Sequence, residues 1–202
     1  MDEIVEAAMR KWPNIPDVYG WLALDRRGRW LLRGEPITNT ALNEFIDRNY
    51  ARDSRGCWFF QNGPQRVFAA LYATPYVFSL LRNCGHIDAT AHTGATASRI
   101  DAVILDSAGS LILATDLGPG LVQDRDLGIA LDAACDEQGR PASEAAFAAL
   151  LRGEDRAISV DFGSSKLLLE TIACDEVATR FKFETNPAPP AAPASFGVHT
   201  TN

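Results

Sequence analysis

The chain has 202 residues, of which 47% are hydrophobic, enough to bury one large core or two small ones without a disulfide or metal staple. Its net charge of -7 argues against general affinity for nucleic acid or anionic lipid, since both reward clustered Lys and Arg. Apolar runs such as Ala102 to Leu105 are far shorter than the ~20 residues of a membrane span, so neither nucleic acid nor a membrane is an expected partner.

Residues 1 to 18 read as an N-terminal arm. Asp2, Glu3 and Glu6 precede Arg10 and Lys11 with no apolar stretch and cleavage site, unlike a secretory signal. Cys57, Cys84, Cys135 and Cys174 form no Cys-x-x-Cys pair, which suits reduced thiols and a cytoplasmic location. Trp12-Pro-Asn-Ile-Pro16 suits a lid that anchors this arm over the first hairpin.

A first module is expected over 19 to 83. Tyr19 to Leu24 and Arg29 to Arg33 flank Asp25-Arg-Arg-Gly28 and predict a hairpin. Thr38-Asn-Thr40 offers an N-cap to a helix carrying Leu42, Phe45, Ile46, Asn49 and Tyr50 on one face, which Asp53-Ser-Arg-Gly56 should end. Strands at about 57 to 62 and 65 to 72 flank an Asn62-Gly63 turn, and another spans Tyr76 to Leu81.

Residues 84 to 185 repeat that order. Leu105-Asp-Ser-Ala-Gly109 matches Leu24-Asp-Arg-Arg-Gly28, and Leu127, Ala130, Leu131, Ala134 and Cys135 reproduce the helix spacing. Asp136-Glu-Gln-Gly139 answers Asp53-Ser-Arg-Gly56, and Ala157 to Thr171 answers Cys57 to Leu71. An Ala-rich segment inserts one further helix near 142 to 152, and 186 to 202 is a Pro/Ala-rich tail expected to be extended or disordered. The fold class is therefore α+β: two similar modules, each a β-hairpin, one helix and two or three further antiparallel strands, as when one supersecondary unit occurs twice.

The candidate ligand-binding set is Trp58, Gln61, Asn62, Gln65 and Arg66, which puts fixed donors and a guanidinium around a tight turn beside aromatics. Turn chemistry and core alternation account for the same residue types without a ligand. Arg26, Arg27, Arg29 and Arg33 crowd the first hairpin, a second place for an acidic partner or an anion.

Other chemistry lacks its pattern. Cys84, His86, Asp88 and His92 fit no established zinc spacing. Asp124 to Cys135 has the wrong twelfth residue for a calcium loop, and Asp124 or Asp126 suits a helix cap better. Neither Gly118-Pro-Gly120 nor Gly163-Ser-Ser-Lys166 forms a phosphate loop, and no nucleophile elbow occurs. No catalytic residue, metal or cofactor is therefore assigned.

Tyr19-Gly-Trp-Leu-Ala-Leu-Asp-Arg-Arg-Gly-Arg-Trp30, Arg48-Asn-Tyr50, Gly56 to Val67 and Thr115 to Val122 resemble an uncharacterised bacterial family known only as a domain of unknown function. The likeness runs from about Trp12 to Val122 and resumes near Val177 to Phe181; Pro141 to Lys182 and the tail depart from the pattern. Trp30 to Ala73 is also distantly similar to a second family of unknown function, built of repeated α+β modules, for which signalling has been suggested. The resemblance supports the duplication and supplies no activity. The preferred expectation is a non-enzymatic cytoplasmic ligand-binding or adaptor protein, with signalling as its setting and a small ligand or protein as its partner. The alternative is an enzyme on a small anionic substrate, with Arg66 as anion clamp in a cleft between modules.

Overall fold

The computed structural model describes residues 1–13, 15–154 and 157–190, so residues 191 to 202 of the expected tail lie outside the described residues. An N-terminal helix, α1 (Glu3–Lys11), precedes the first module. That module comprises β1 (Val18–Leu24), β2 (Trp30–Leu32), β3 (Glu35–Pro36), α2 (Thr40–Arg48), β4 (Tyr50–Arg52), β5 (Trp58–Asn62) and β6 (Gln65–Leu71). A hairpin of β7 (Tyr76–Asn83) and β8 (His86–Ala91) follows. The second module comprises β9 (Ile100–Asp106), β10 (Leu111–Thr115), β11 (Pro119–Val122), α3 (Leu127–Leu131), β12 (Ala134–Cys135), α4 (Glu144–Leu151), β13 (Ser159–Asp161) and β14 (Lys166–Ile172), and α5 (Val177–Phe181) comes last.

The two modules share one connectivity. The first sheet runs β3-β2-β1-β6-β5-β4, and the second, read from its far end, continues β11-β10-β9-β14-β13-β12. In each, the first and last strands lie parallel at the centre: Leu22 faces Ala69 as Val103 faces Leu169. The equivalence extends residue by residue, for Tyr50 opposes Phe60 as Ala134 opposes Val160, and Leu31 opposes Pro36 as Ile112 opposes Leu121. Chance recurrence of a hairpin-helix-hairpin order does not reproduce register, because a one-residue slip turns every side chain to the other face.

Four Asp-x-x-Gly turns set this frame. The Oδ1 atoms of Asp25, Asp53, Asp106 and Asp136 each accept the amides two and four residues on, at 2.7 to 2.9 Å. The closing glycines adopt φ of 75° to 85°, a region that L side chains disfavour. Asp53–Gly56 therefore closes the β4–β5 hairpin instead of ending the helix. The side chain of Asn39 caps α2, accepting from Leu42 N–H at 3.0 Å, and α2 stops at Arg48 because Tyr50 is recruited into β4. α3 is likewise shorter than its spacing suggests, since Ala134 and Cys135 pair with β13. Asp126 does not cap α3; its Oδ2 accepts the Leu80 amide at 3.1 Å.

The boundary expected at residue 83 is also displaced. β7 lies parallel to β11 and carries β8 outside it, so the hairpin extends the second sheet. It covers one face of the second module, where Phe78, Leu80 and Ile87 share a core with Val103, Leu113, Val122 and Phe162. A second core lies between the modules, joining Leu24, Trp30, Trp58 and Leu71 to Ile104, Ile112 and Leu121, with Val177 and Phe183 beside them. After α5 the chain returns to the first module, where Leu71 N–H donates to Thr185 O at 2.8 Å. Among the described residues no helix is long and apolar enough to cross a membrane.

Candidate ligand pocket

Strand alternation splits the five residues singled out in the sequence. Across the β5–β6 ladder Gln61 opposes Arg66 and Asn62 opposes Gln65, so the two pairs point to opposite faces of the sheet. Arg66 is exposed on the outer face, its guanidinium 5.0 Å from the Phe59 ring centroid. It does not face the second module, so it cannot clamp an anion between modules. Gln61 is buried and fastened to its own turn, with Nε2 donating to Gly63 O at 2.9 Å.

Trp58 belongs to an aromatic seam at the module junction. Its ring lies 4.9 Å from Tyr50 and 5.2 Å from Tyr76, while His92 lies 5.2 Å from Trp30 and 5.9 Å from both tyrosines. Burial pushes the His92 imidazole down to about 3 and raises the Tyr50 phenol, so the seam is uncharged at neutral pH. Trp58 thus joins the modules, the structural role that its alternation also allows.

Asn62 and Gln65 remain together, at the rim of an apolar pocket of about 370 Å³ on the inner face of the first module. β1 and β2 contribute Trp21, Leu22 and Leu32, α2 contributes Leu42 and Ile46, and Phe60 and Val67 form the floor. Gln65 Nε2 donates to Pro16 O at 3.0 Å and so ties the segment after α1 to the rim. Arg33 lies over the Trp21 ring at 3.8 Å. This stacking fixes one wall of the pocket.

The second module provides an internal control. Leu22 pairs with Leu32 as Val103 pairs with Leu113, and Phe60 with Val67 as Val160 with Leu167. By the same register Asn62 corresponds to Phe162, which is fully buried. There the β7–β8 hairpin closes over the surface and exposes 0% of Leu113, whereas Leu32 remains 45% exposed. The cavity left on that face, beside Leu105, Leu111 and Phe147, is about 70 Å³. The same wall is closed in one copy and open in the other.

The first module's edge also differs. In the second module Leu121 N–H donates to Thr74 Oγ1 at 2.8 Å, anchoring the approach to β7. Pro36 holds the corresponding position in β3 and has no N–H to give. Its edge is blunted against an added strand.

Cys84 sits exposed in the β7–β8 turn, His86 pairs with Asp88 at 3.4 Å, and His92 is buried in the seam. Among the described residues no group of three His, Cys, Asp or Glu side chains is placed to hold an ion.

Fold and register define a duplicated α+β protein with an open pocket in one copy. The chain belongs to the family DUF2944, described as a protein of unknown function (DUF2946), whose model matches residues 1–188. Its fold is similar to that of a DUF1285 family protein from Silicibacter pomeroyi DSS-3, with a TM-score of 0.54 at 15% identity over 85% of this chain and 97% of that one. A DUF1285 family protein from Shewanella baltica OS155 gives a TM-score of 0.41 at 13% identity over 52% of this chain and 85% of that one. No curated protein sequence matches the chain.

Proposed function

We propose that the protein is a non-enzymatic binding protein whose first module takes up a small, neutral, largely apolar molecule between α2 and the inner face of its sheet. One observation carries this reading: a wall that the second module closes with Phe162 and a hairpin stands open in the first, at about 370 Å³, a volume in the ~300–1,000 Å³ range of ligand sites. The lining is aliphatic and aromatic, and the amides of Asn62 and Gln65 supply a donor and an acceptor at the rim.

None of these side chains titrates near neutral pH, so the pocket offers binding without a proton-transferring group. An occupant would cover Leu32, Leu42 and Trp21, all now exposed, and change the surface that the first module presents. That is how a ligand-binding adaptor in cytoplasmic signalling reports occupancy, by favouring partners that distinguish the two surfaces.

The test is titration of the protein with the neutral fluorophore Nile red, followed by thermal-shift screening of neutral apolar metabolites. Saturable uptake that is lost in Leu32→Glu, with folding intact by circular dichroism, is expected. Uptake unchanged in that variant would remove the pocket from consideration.

A further inference from the structure

We propose a second site at the module boundary, for a soluble small molecule bearing a phosphate or pyrophosphate group. A cleft of about 590 Å³ opens there, lined by Arg26, Arg27 and Arg29 from the β1–β2 turn and by Gln123, Asp124 and Arg125 at the entry to α3. Both modules contribute, and no residue is shared with the apolar pocket.

The four guanidiniums are not balanced locally. Arg29 pairs with Asp25 at 2.7 Å and Arg125 with Asp126 at 3.6 Å, although Asp126 Oδ2 already accepts the Leu80 amide. Arg26 Nη2 donates to the neutral Ser110 Oγ at 2.8 Å, and Arg27 has no ion pair among the described residues. Asp124 is the one carboxylate on the lining. Four guanidiniums against the three carboxylates Asp25, Asp124 and Asp126 leave a local surplus of one positive charge in a chain of net charge -7, a field that favours an anion.

The cations are also preorganised. Asp25 accepts the amides of Arg27 and Arg29, each at 2.9 Å, and a side chain at Gly28 would put its Cβ 2.8 Å from the Cβ of His92. The turn is thus pressed against the second module and carries its arginines at fixed roots. Guanidinium forks match phosphate oxygens in bidentate pairs, and mounting them on a rigid turn lowers the entropy lost on binding.

Isothermal titration of the full chain with inorganic pyrophosphate at low salt tests the site. Saturable binding is expected, weakened by added NaCl and reduced roughly tenfold or more in Arg27→Ala and in Arg125→Ala. Arg27→Lys should recover only part of the loss, because it keeps the charge without the fork. Equal affinity in wild type and the Arg27→Ala/Arg125→Ala double variant, with melting temperatures unchanged, overturns the proposal. So does a response to anionic vesicles or a single-stranded oligonucleotide with none to pyrophosphate. Nile red uptake should be unaffected by these variants, which separates this site from the apolar pocket.

Discussion

Asn62 and Phe162 occupy one position in a duplicated frame. Asn62 ends β5 opposite Gln65, and Phe162 directly follows β13 with its N–H on Ser165 O at 2.9 Å, yet the first is exposed and the second completely buried. Exchanging the two residue types therefore separates packing from function. Asn62→Phe should fill the pocket, abolish Nile red uptake and raise stability by about 1 kcal/mol, in the range of cavity-filling changes. Phe162→Asn removes a buried ring and leaves a buried amide, at a cost of about 4 kcal/mol. Urea melts of both variants check the pair, and uptake retained in Asn62→Phe would count against the pocket.

The glycines that follow these residues form a second matched pair. Gly63 and Gly163 have φ of 57° and 83°, so alanine strains the backbone at both. A Cβ at Gly63 meets only the Cβ of Ala8, at 3.7 Å, whereas one at Gly163 runs into the carbonyl of Gly85 in the β7–β8 turn. Gly63→Ala should cost about 1 kcal/mol and Gly163→Ala about 2 kcal/mol more. Equal losses, measured by denaturant midpoint, would mean that the hairpin does not close over the second module as described.

Asn49 ties the arm to the first module. It is buried, accepts the Asp2 amide at 2.8 Å, and donates to Asp2 Oδ2 at 3.2 Å and Phe45 O at 2.9 Å. Asn49→Ala should lose about 2 kcal/mol through the partners left unpaired. Amide exchange should quicken in α1 before it does in the sheets, and a uniform loss of protection would contradict a local clasp.

Much of this frame is legible in the residues. The Asp-x-x-Gly turns at Asp25 and Asp106 declare their hairpins, and the recurrence of the pattern reveals the duplication, but Asp53–Gly56 reads as a helix end because glycine after a helical spacing is the usual stop. The partner of β7 is not legible, since the apolar run from Tyr76 to Leu81 carries no mark of which sheet edge it joins. For the candidate site, period-two alternation already separates Gln61 and Arg66 from Asn62 and Gln65. What the sequence hides is the opening beside Leu22, Leu32 and Leu42. These read as ordinary core residues, and among the described residues no hairpin covers the pocket they line.

His92 gives the junction its pH dependence. Its imidazole is held neutral by burial, with a native value of about 3 against about 6.5 when unfolded. The unfolded chain therefore binds the proton first, and the stabilisation is complete above about pH 6.5 and is lost as pH falls toward the native value. The slope should reach roughly 1.4 kcal/mol per pH unit between those limits. The carboxylates of Asp25, Asp53 and Asp136, held low by hydrogen bonds from the side chains of Arg29, Arg55 and Arg140 and from the turn amides, add their own losses only below about pH 4. His92→Phe keeps an aromatic ring among Trp30, Tyr50 and Tyr76 and should flatten the curve between pH 6.5 and 4.5 while leaving the steeper acid limb. Guanidinium melts across that range decide it, and an unchanged slope in His92→Phe would assign the dependence to another group.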